Sequence, residues 1–267
     1  MSYKFNNKVA IITGSSRGIG RAVAEALASE GASVVLNSRN SEQLNDTLSE
    51  FREAGYTCQA IAGDISDYDF CESLVRKTIE QYGKLDILIN NAGISAEGSI
   101  EESHPATFRR SFEVNVLGVI YPAKAAIPHL KKTKGSIVFT GSVAGFIGLP
   151  GFAAYSGSKM ALTAITKSLR IELAASDIHV GLNYVGFAEN DVDKTFINKY
   201  GEVEKLPIRS GFKKMSMNRI AQIFLTGIRK RRKIQVLSGL GKLTYLSSRL
   251  MPGLLEYFMT RRYIKQQ

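Results

Sequence analysis

The chain is poor in the residues that staple small folds or bind metals. Two cysteines, Cys58 and Cys71, and three histidines, His104, His129 and His179, are all it has among 267 residues. The cysteines have neither metal nor redox spacing, so two unpaired thiols in a reducing compartment are expected. The scattered histidines offer no metal site and suit structural or solvent-facing positions. No run of about 18 apolar residues is present, which excludes a membrane-spanning helix. The opening MSYKFNNKVAIIT has too short an apolar run for a signal peptide and leads into a glycine turn. Repeats, composition breaks and Gly/Ser/Pro linkers are also missing, which favours one large domain over two small ones. Acids are scarce in one region. From Lys205 onward there are 15 Lys/Arg and a single acid, Glu256, while the first 204 residues hold 20 basic and 23 acidic residues. A charge-driven partner would therefore meet the C-terminal quarter.

What is present is an alternation of strand and helix patterns, with a hydrophobic fraction of 44%, ample for a core. Lys8 to Thr13 reads as a buried strand ending at Gly14. Gly14, Gly18 and Gly20 follow, then a helix with Ile19, Val23 and Leu27 on one face. Strand, glycine turn and helix make a site where backbone approaches a pyrophosphate and a helix N-terminus faces it. Ser33 to Ser38 is a second strand. An acid about 20 residues beyond the glycine turn would bind ribose hydroxyls. Here Asn37-Ser38-Arg39-Asn40 has none, and Arg39 with Arg17 supplies two cations for a 2'-phosphate, favouring NADP(H) over NAD(H).

Further strands are expected at Thr57 to Ala62, Asp86 to Asn90, Ser136 to Thr140, Ile178 to Asn183 and Ile234 to Leu237. Helices are expected at 41–54, 67–82, 154–176 and 217–230. This spacing implies a parallel sheet with helices on both faces. A long helical stripe runs from Phe108 to Leu130, where Pro122 and Pro128 should kink or split it. Asn115 lies one position off that stripe, either as ordinary helix polarity or as part of a relay. Residues 186–216 have weak periodicity and form a candidate lid.

Tyr155 and Lys159, four apart on the helix after Ser142, share one face. An ammonium beside a phenol favours the phenolate, and a phenol so tuned can exchange a proton with a carbonyl or alcohol oxygen. Ser142 would aim a second hydroxyl at the same oxygen.

Thr13-Gly14-x-x-x-Gly18-x-Gly20, Asn90-Asn91-Ala92-Gly93, Asn115, Ser142 and Tyr155-x-x-x-Lys159 stand in the order and spacing of the short-chain dehydrogenase/reductase family, which the chain resembles over residues 8 to 185. The resemblance implies a single doubly wound α/β Rossmann-type domain over 1–239, with a seven-stranded, mostly parallel sheet. It makes Tyr155 the general acid or base and Lys159 the residue that lowers its pKa and holds the nicotinamide ribose. Ser142 would orient the substrate oxygen, and Asn115 would support a water relay. Asp64 would lie beside the adenine and Asn91 would steady the central strand. Ser16, Arg17, Ile19, Arg39, Ile65, Ala92, Gly93 and Gly186 join the glycines in the implied cofactor cradle. Ala144, Phe152 and Phe187 join Ser142 and Tyr155 around the substrate. A homodimer or homotetramer is also implied.

One departure concerns the loop after the sixth strand. The family's Pro-Gly followed by a threonine is replaced by Val185-Gly186-Phe-Ala-Glu-Asn190, which puts cofactor docking and lid closure in doubt. The expected activity is NADPH-dependent reduction of a hydrophobic ketone or aldehyde. Phe146, Ile147, Leu149, Phe152 and Phe187 make an apolar lining from residues 94–99, 143–152 and 186–216. Alternatives are a 3-oxoacyl-thioester reductase, a hydroxysteroid-like alcohol dehydrogenase, or a non-catalytic nucleotide sensor or scaffold. Arg229 to Lys233 lacks the interleaved aromatics of a nucleic-acid site, so no nucleic-acid partner is expected. Leu243, Leu246, Leu250, Leu254 and Phe258, ringed by Lys242, Arg249, Arg261, Arg262 and Lys265, form a basic amphipathic extension over 240–267. It suits either an anionic membrane surface or packing on the domain or a partner subunit. A cytoplasmic protein, with or without contact to the inner face of a membrane, is expected.

Overall fold

A computed structural model describes residues 5–189, 195–206 and 214–265. Short β-branched runs separated by amphipathic helices build it in βα steps. They are β1 (Val9–Thr13), α1 (Gly18–Ser29), β2 (Ser33–Ser38), α2 (Ser41–Glu53), β3 (Cys58–Ala62), α3 (Tyr68–Tyr82) and β4 (Ile87–Asn90). A two-residue strand β5 (Ser95–Ala96) precedes α4 (Pro105–Phe112) and α5 (Gly118–Thr133). Then come β6 (Ser136–Ser142), α6 (Ala153–Glu172) and β7 (His179–Val185). The chain closes with β8 (Thr195–Ile197), β9 (Val203–Lys205), α7 (Met217–Arg229), β10 (Ile234–Val236), α8 (Gly239–Leu250) and α9 (Pro252–Ile264).

Seven strands form one parallel sheet in the order β10-β7-β6-β4-β1-β2-β3. Alternate residues of each strand feed opposite faces. Ala10 and Ile12 join Val23, Leu27, Phe224 and Leu225 beneath α1 and α7. Ile11 joins Leu74, Val119, Leu130 and Leu162 beneath α3, α5 and α6. Burial on both faces explains why the strands read as continuous apolar runs. The chain runs outward from β1 to β3, then returns to β4 on the other side of β1. That reversal leaves a crevice at the carboxyl ends of β1 and β4, where ligands bind in open α/β sheets.

One expectation needs correction. Pro122 and Pro128 do not split the long helix, since α5 continues through both. The break comes earlier, in a π turn at Glu113–Leu117 where Gly118 N–H reaches back to the Glu113 carbonyl. The weak periodicity of 186–216 hides a small second sheet, in which β8 pairs with β5 and β9. Asn198 ties its turn together, accepting from the Tyr200 and Glu202 N–H groups at 2.9 and 3.0 Å. Alternation over three residues is too short to register as a strand. The basic run 229–233 is partly structural: Arg229 pairs with Glu30, and Arg231 with Asp177.

Both thiols are free, and burial pushes the Cys71 thiol up to about 12. No group of three or more His, Cys, Asp or Glu able to hold a metal occurs among the described residues. No helix among them is long and apolar enough to cross a membrane.

Candidate active site

The glycine turn sits at the mouth of the crevice because side chains would not fit there. Gly14 has φ of +62°, and a Cβ on it would lie 2.8 Å from Ala92 Cα. A Cβ on Gly20 would collide with the Gly14 carbonyl and the Asn91 amide. Gly18 opens α1, whose N-cap position is Arg17 and whose first turn carries no acid, so nothing there opposes an anion at its N-terminus. Thr13 locks this turn to β4. Its hydroxyl accepts from the Asn91 and Ala92 N–H groups at 3.0 and 3.1 Å. Asn91 donates through Nδ2 to the Thr13 and Gly14 carbonyls at 3.1 and 3.0 Å.

One turn of α6 brings Tyr155 and Lys159 together, with Lys159 Nζ 6.0 Å from the centre of the Tyr155 ring. Lys159 is 5% exposed, and its ammonium donates to the Thr140 carbonyl at 3.2 Å. Asn115 is fully buried in the π turn. Its Oδ1 accepts from Ile94 N–H at 2.9 Å, while Nδ2 donates to the Ile94 carbonyl at 2.8 Å and to Ser158 Oγ at 3.0 Å. Ordinary helix polarity is therefore not its reason for being there. Asn115 and Lys159 converge on exposed Gly93: a Cβ on that residue would lie 2.9 Å from Asn115 Oδ1 and 3.1 Å from Lys159 Nζ. Ser142 ends β6 opposite Val185 of β7, and its Oγ accepts from Ala144 N–H at 3.2 Å.

At the other end of the crevice, Arg39 and Asp64 follow β2 and β3 and pair at 3.8 Å. They line a cleft of about 280 Å³ with Ser66, Arg109, Arg110 and Glu113. Ser16 bonds Ser38 and Gln43, and Asn37 donates to the Ile61 and Gly63 carbonyls, so the end of β2 is tied down. Ile65 is buried against Gly118, and Ile19 packs on the core beneath α1.

Phe152 stands at the start of α6, bridged to Gly98, and Phe187 is 38% exposed. Ala144 is buried in a short 3-10 turn. Gly186 abuts Ser238 at the start of α8. Phe146 is engaged elsewhere, its ring 5.0 Å from Tyr184 and 5.1 Å from Tyr245. Burial pushes the Tyr184 phenol up from its ordinary value. Asn190 lies outside the described residues. Tyr155 packs instead on a small apolar cluster of Ile94, Ala96, Val114, Ala154 and Ile197.

Residues 8–200 match the sequence model of the family described as short chain dehydrogenase. The chain belongs to the short-chain dehydrogenase/reductase family. This reductase-family chain is 41% identical over 185 residues to an uncharacterized oxidoreductase of Methylorubrum extorquens, covering 69% of this chain and 74% of that one. A short-chain dehydrogenase/reductase of Burkholderia phymatum, solved with NAD, superposes with a TM-score of 0.82 at 26% identity and 96% coverage of both chains. An alcohol dehydrogenase of Thermococcus sibiricus, complexed with 5-hydroxy-NADP, gives 0.73 at 28% identity, covering 86% and 94%. The short-chain dehydrogenase/reductase described here is thus a nicotinamide-dependent oxidoreductase.

Its residues fit such a cofactor. Neither Gly14 nor Gly20 has room for a side chain, and both ends of the Asn90 amide, 1% exposed at the end of β4, have no hydrogen-bond partner among the described residues. A buried amide left so is what a ligand or ordered water satisfies. Thr13, Thr140 and Asn90 went unassigned in the sequence although they stood inside or beside the motifs. Arg109 and Arg110 gave no signal, because charges on an exposed helix look merely solvated.

Proposed function

We propose that the protein is an NADPH-dependent carbonyl reductase acting on hydrophobic ketones or aldehydes. The observation that carries this reading is the convergence of Lys159 and Asn115 on Gly93, one helical turn from Tyr155 and at the crevice between β1 and β4. When bound, the cofactor supplies the hydride; the chain supplies orientation and the proton. Tyr155 donates its phenolic proton to the substrate oxygen as negative charge develops there. The buried Lys159 ammonium favours the phenolate that remains and holds the nicotinamide ribose. Ser142 places a second hydroxyl against the same oxygen, and Asn115 fixes the π turn that backs the lysine.

NADPH is favoured over NADH by the end of β2. The place of a ribose-binding acid is taken by Asn37, whose amide is already bonded to β3. Arg39, half exposed and held only loosely by Asp64, is a cation that a 2'-phosphate can recruit. The apolar cluster around Tyr155 supports an apolar substrate. Exposed Phe112, Leu117, Met160 and Ile171 on the α4–α5 and α6 surfaces support a homo-oligomer. The test is Tyr155→Phe. It should abolish NADPH oxidation against a panel of apolar carbonyls while NADPH still binds; retained turnover would remove Tyr155 from the mechanism.

A further inference from the structure

The last two helices are turned the wrong way round for helices that merely cover their own domain. Such a helix buries its apolar stripe and shows its polar side to water. In α8 the inward positions are Gly241, Thr244, Tyr245 and Ser248, buried or half-buried. Tyr245 grips the domain, with its ring 5.1 Å from Phe146 and 5.8 Å from Tyr184. Leu240, Leu243, Leu246 and Leu250 line the opposite side at helical spacing, 55% to 70% exposed. After Pro252, α9 packs on α8 through the half-buried Leu255 and Met259, and leaves Leu254, Tyr257, Phe258 and Ile264 43% to 67% exposed. Ten of the eighteen exposed large hydrophobic residues among the described residues lie between Leu240 and Ile264, which makes a patch rather than scatter.

Charge decides what covers that patch. Lys242, Arg249, Arg261, Arg262 and Lys265 are exposed around it, with Glu256 the one acid. Lys242 and Arg249, seven residues apart, fall on the same flank of the leucine stripe. A second copy docked face to face would set two such cationic faces against each other, which like-charge repulsion opposes. We propose that the α8–α9 face docks on an anionic lipid bilayer. The leucines and aromatics enter the acyl boundary, and the cations meet the headgroups.

The helix that carries the docking face begins beside the ends of β6 and β7, with its inward side against them. A Cβ on Gly241 would touch Val143 at 3.5 Å, and one on Gly186 would lie 3.0 Å from Ser238 Oγ. Resting on the carbonyl-reductase reading, this places the substrate opening beside the lipid surface and makes membrane-partitioned carbonyls the natural substrates. Docking itself does not depend on that reading.

The experiment is flotation of the full chain with phosphatidylserine–phosphatidylcholine vesicles and with phosphatidylcholine alone. Wild type should float with the anionic vesicles at least about tenfold more than with the neutral ones. L243E/L246E should lose flotation, and R261E/R262E should lose about tenfold or more. Both variants should keep the wild-type melting temperature, because the changed side chains are exposed. The proposal is overturned if wild type stays unbound with both vesicles, or if L243E/L246E floats as well as wild type. It is equally overturned if wild type stays unbound and L243E/L246E lowers its oligomeric state, which would show a second copy on the stripe. The wild-type arm needs no variant to fold, and none of these readouts depends on turnover.

Discussion

Lys159 donates from Nζ to the Thr140 carbonyl at 3.2 Å, and this bond joins the helix that carries Tyr155 to strand β6 of the sheet. Thr140 in turn donates through its hydroxyl to Asn91 Oδ1 at 3.3 Å, and the other end of that amide holds the Gly14 carbonyl at 3.0 Å. The proposed proton-transfer end and the glycine turn are therefore one hydrogen-bonded chain. Removing the ammonium should act on both. Lys159→Ala is expected to lower kcat by about 10²-fold or more and to raise the KM for the nicotinamide cofactor. Lys159→Arg should not rescue it, since a planar fork does not replace a point charge in a slot this closed. Steady-state kinetics with separate kcat and KM checks this; a loss below about tenfold in kcat would mean the lysine is only a packing residue.

The proposed preference for NADPH rests on Arg39. Arg39→Ala should leave NADH turnover nearly unchanged and lower kcat/KM for NADPH by about tenfold to a hundredfold, the worth of one charge-assisted hydrogen bond. Arg109 and Arg110 line the same cleft, so some preference should survive the single substitution. The ratio of kcat/KM values for the two cofactors is the measurement. An unchanged ratio would leave the end of β2 without a role in the choice.

The strands and the Tyr155–Lys159 pair were legible because their signals are local. A run such as residues 9–12 is apolar throughout since both faces of the sheet are covered, and Tyr155 and Lys159 meet through one turn of a single helix. What stayed hidden depends on contacts between distant segments. The β5–β8 pairing joins residues about a hundred positions apart through two-residue registers that leave no period in the sequence. The prolines misled because α5 buries Val119, Ala123, Ala126 and Leu130 against the sheet, and that packing holds the helix through both. The contact of the Phe146 ring with Tyr245 joins the loop after β6 to the C-terminal extension, a pairing no local pattern shows. The amphipathic pattern of that extension was plain, but which side faces the domain was not.

Gly93 makes a sharper test of the site than of the fold. Its backbone is ordinary, so alanine there brings crowding alone. The new methyl would press on Asn115 Oδ1 and Lys159 Nζ from 2.9 and 3.1 Å. Gly93→Ala should cost about 1–3 kcal/mol of stability while lowering turnover by far more than the folded fraction accounts for. Thermal unfolding beside kcat separates the two. Equal losses in both would show that the convergence on Gly93 is structural only.

His179 should make stability depend on pH. Buried in β7, its ring spans to Ser136 Oγ at 3.3 Å and to the Arg232 carbonyl at 3.0 Å. Burial lowers its pKa from the ordinary value; the Arg232 carbonyl offsets part of this, and nearby Arg231 and Arg170 add to the lowering. The unfolded chain takes up the proton near pH ~6.5, whereas the folded one resists it to lower pH. The unfolded state then binds more protons, so the contribution is intact above about pH 6.5 and is lost as pH falls below it. His129 is shifted the same way by burial and by Lys132. Melting temperatures between neutral and mildly acidic pH should therefore fall in wild type. His179→Gln should melt lower at neutral pH, having lost about 1 kcal/mol of hydrogen bonding, but should decline less steeply on acidification. His129→Gln serves as the comparison, because its ring is less enclosed. If His179→Gln declines as steeply as wild type, protonation of that ring is not what weakens the seam between β7 and the turn before β10.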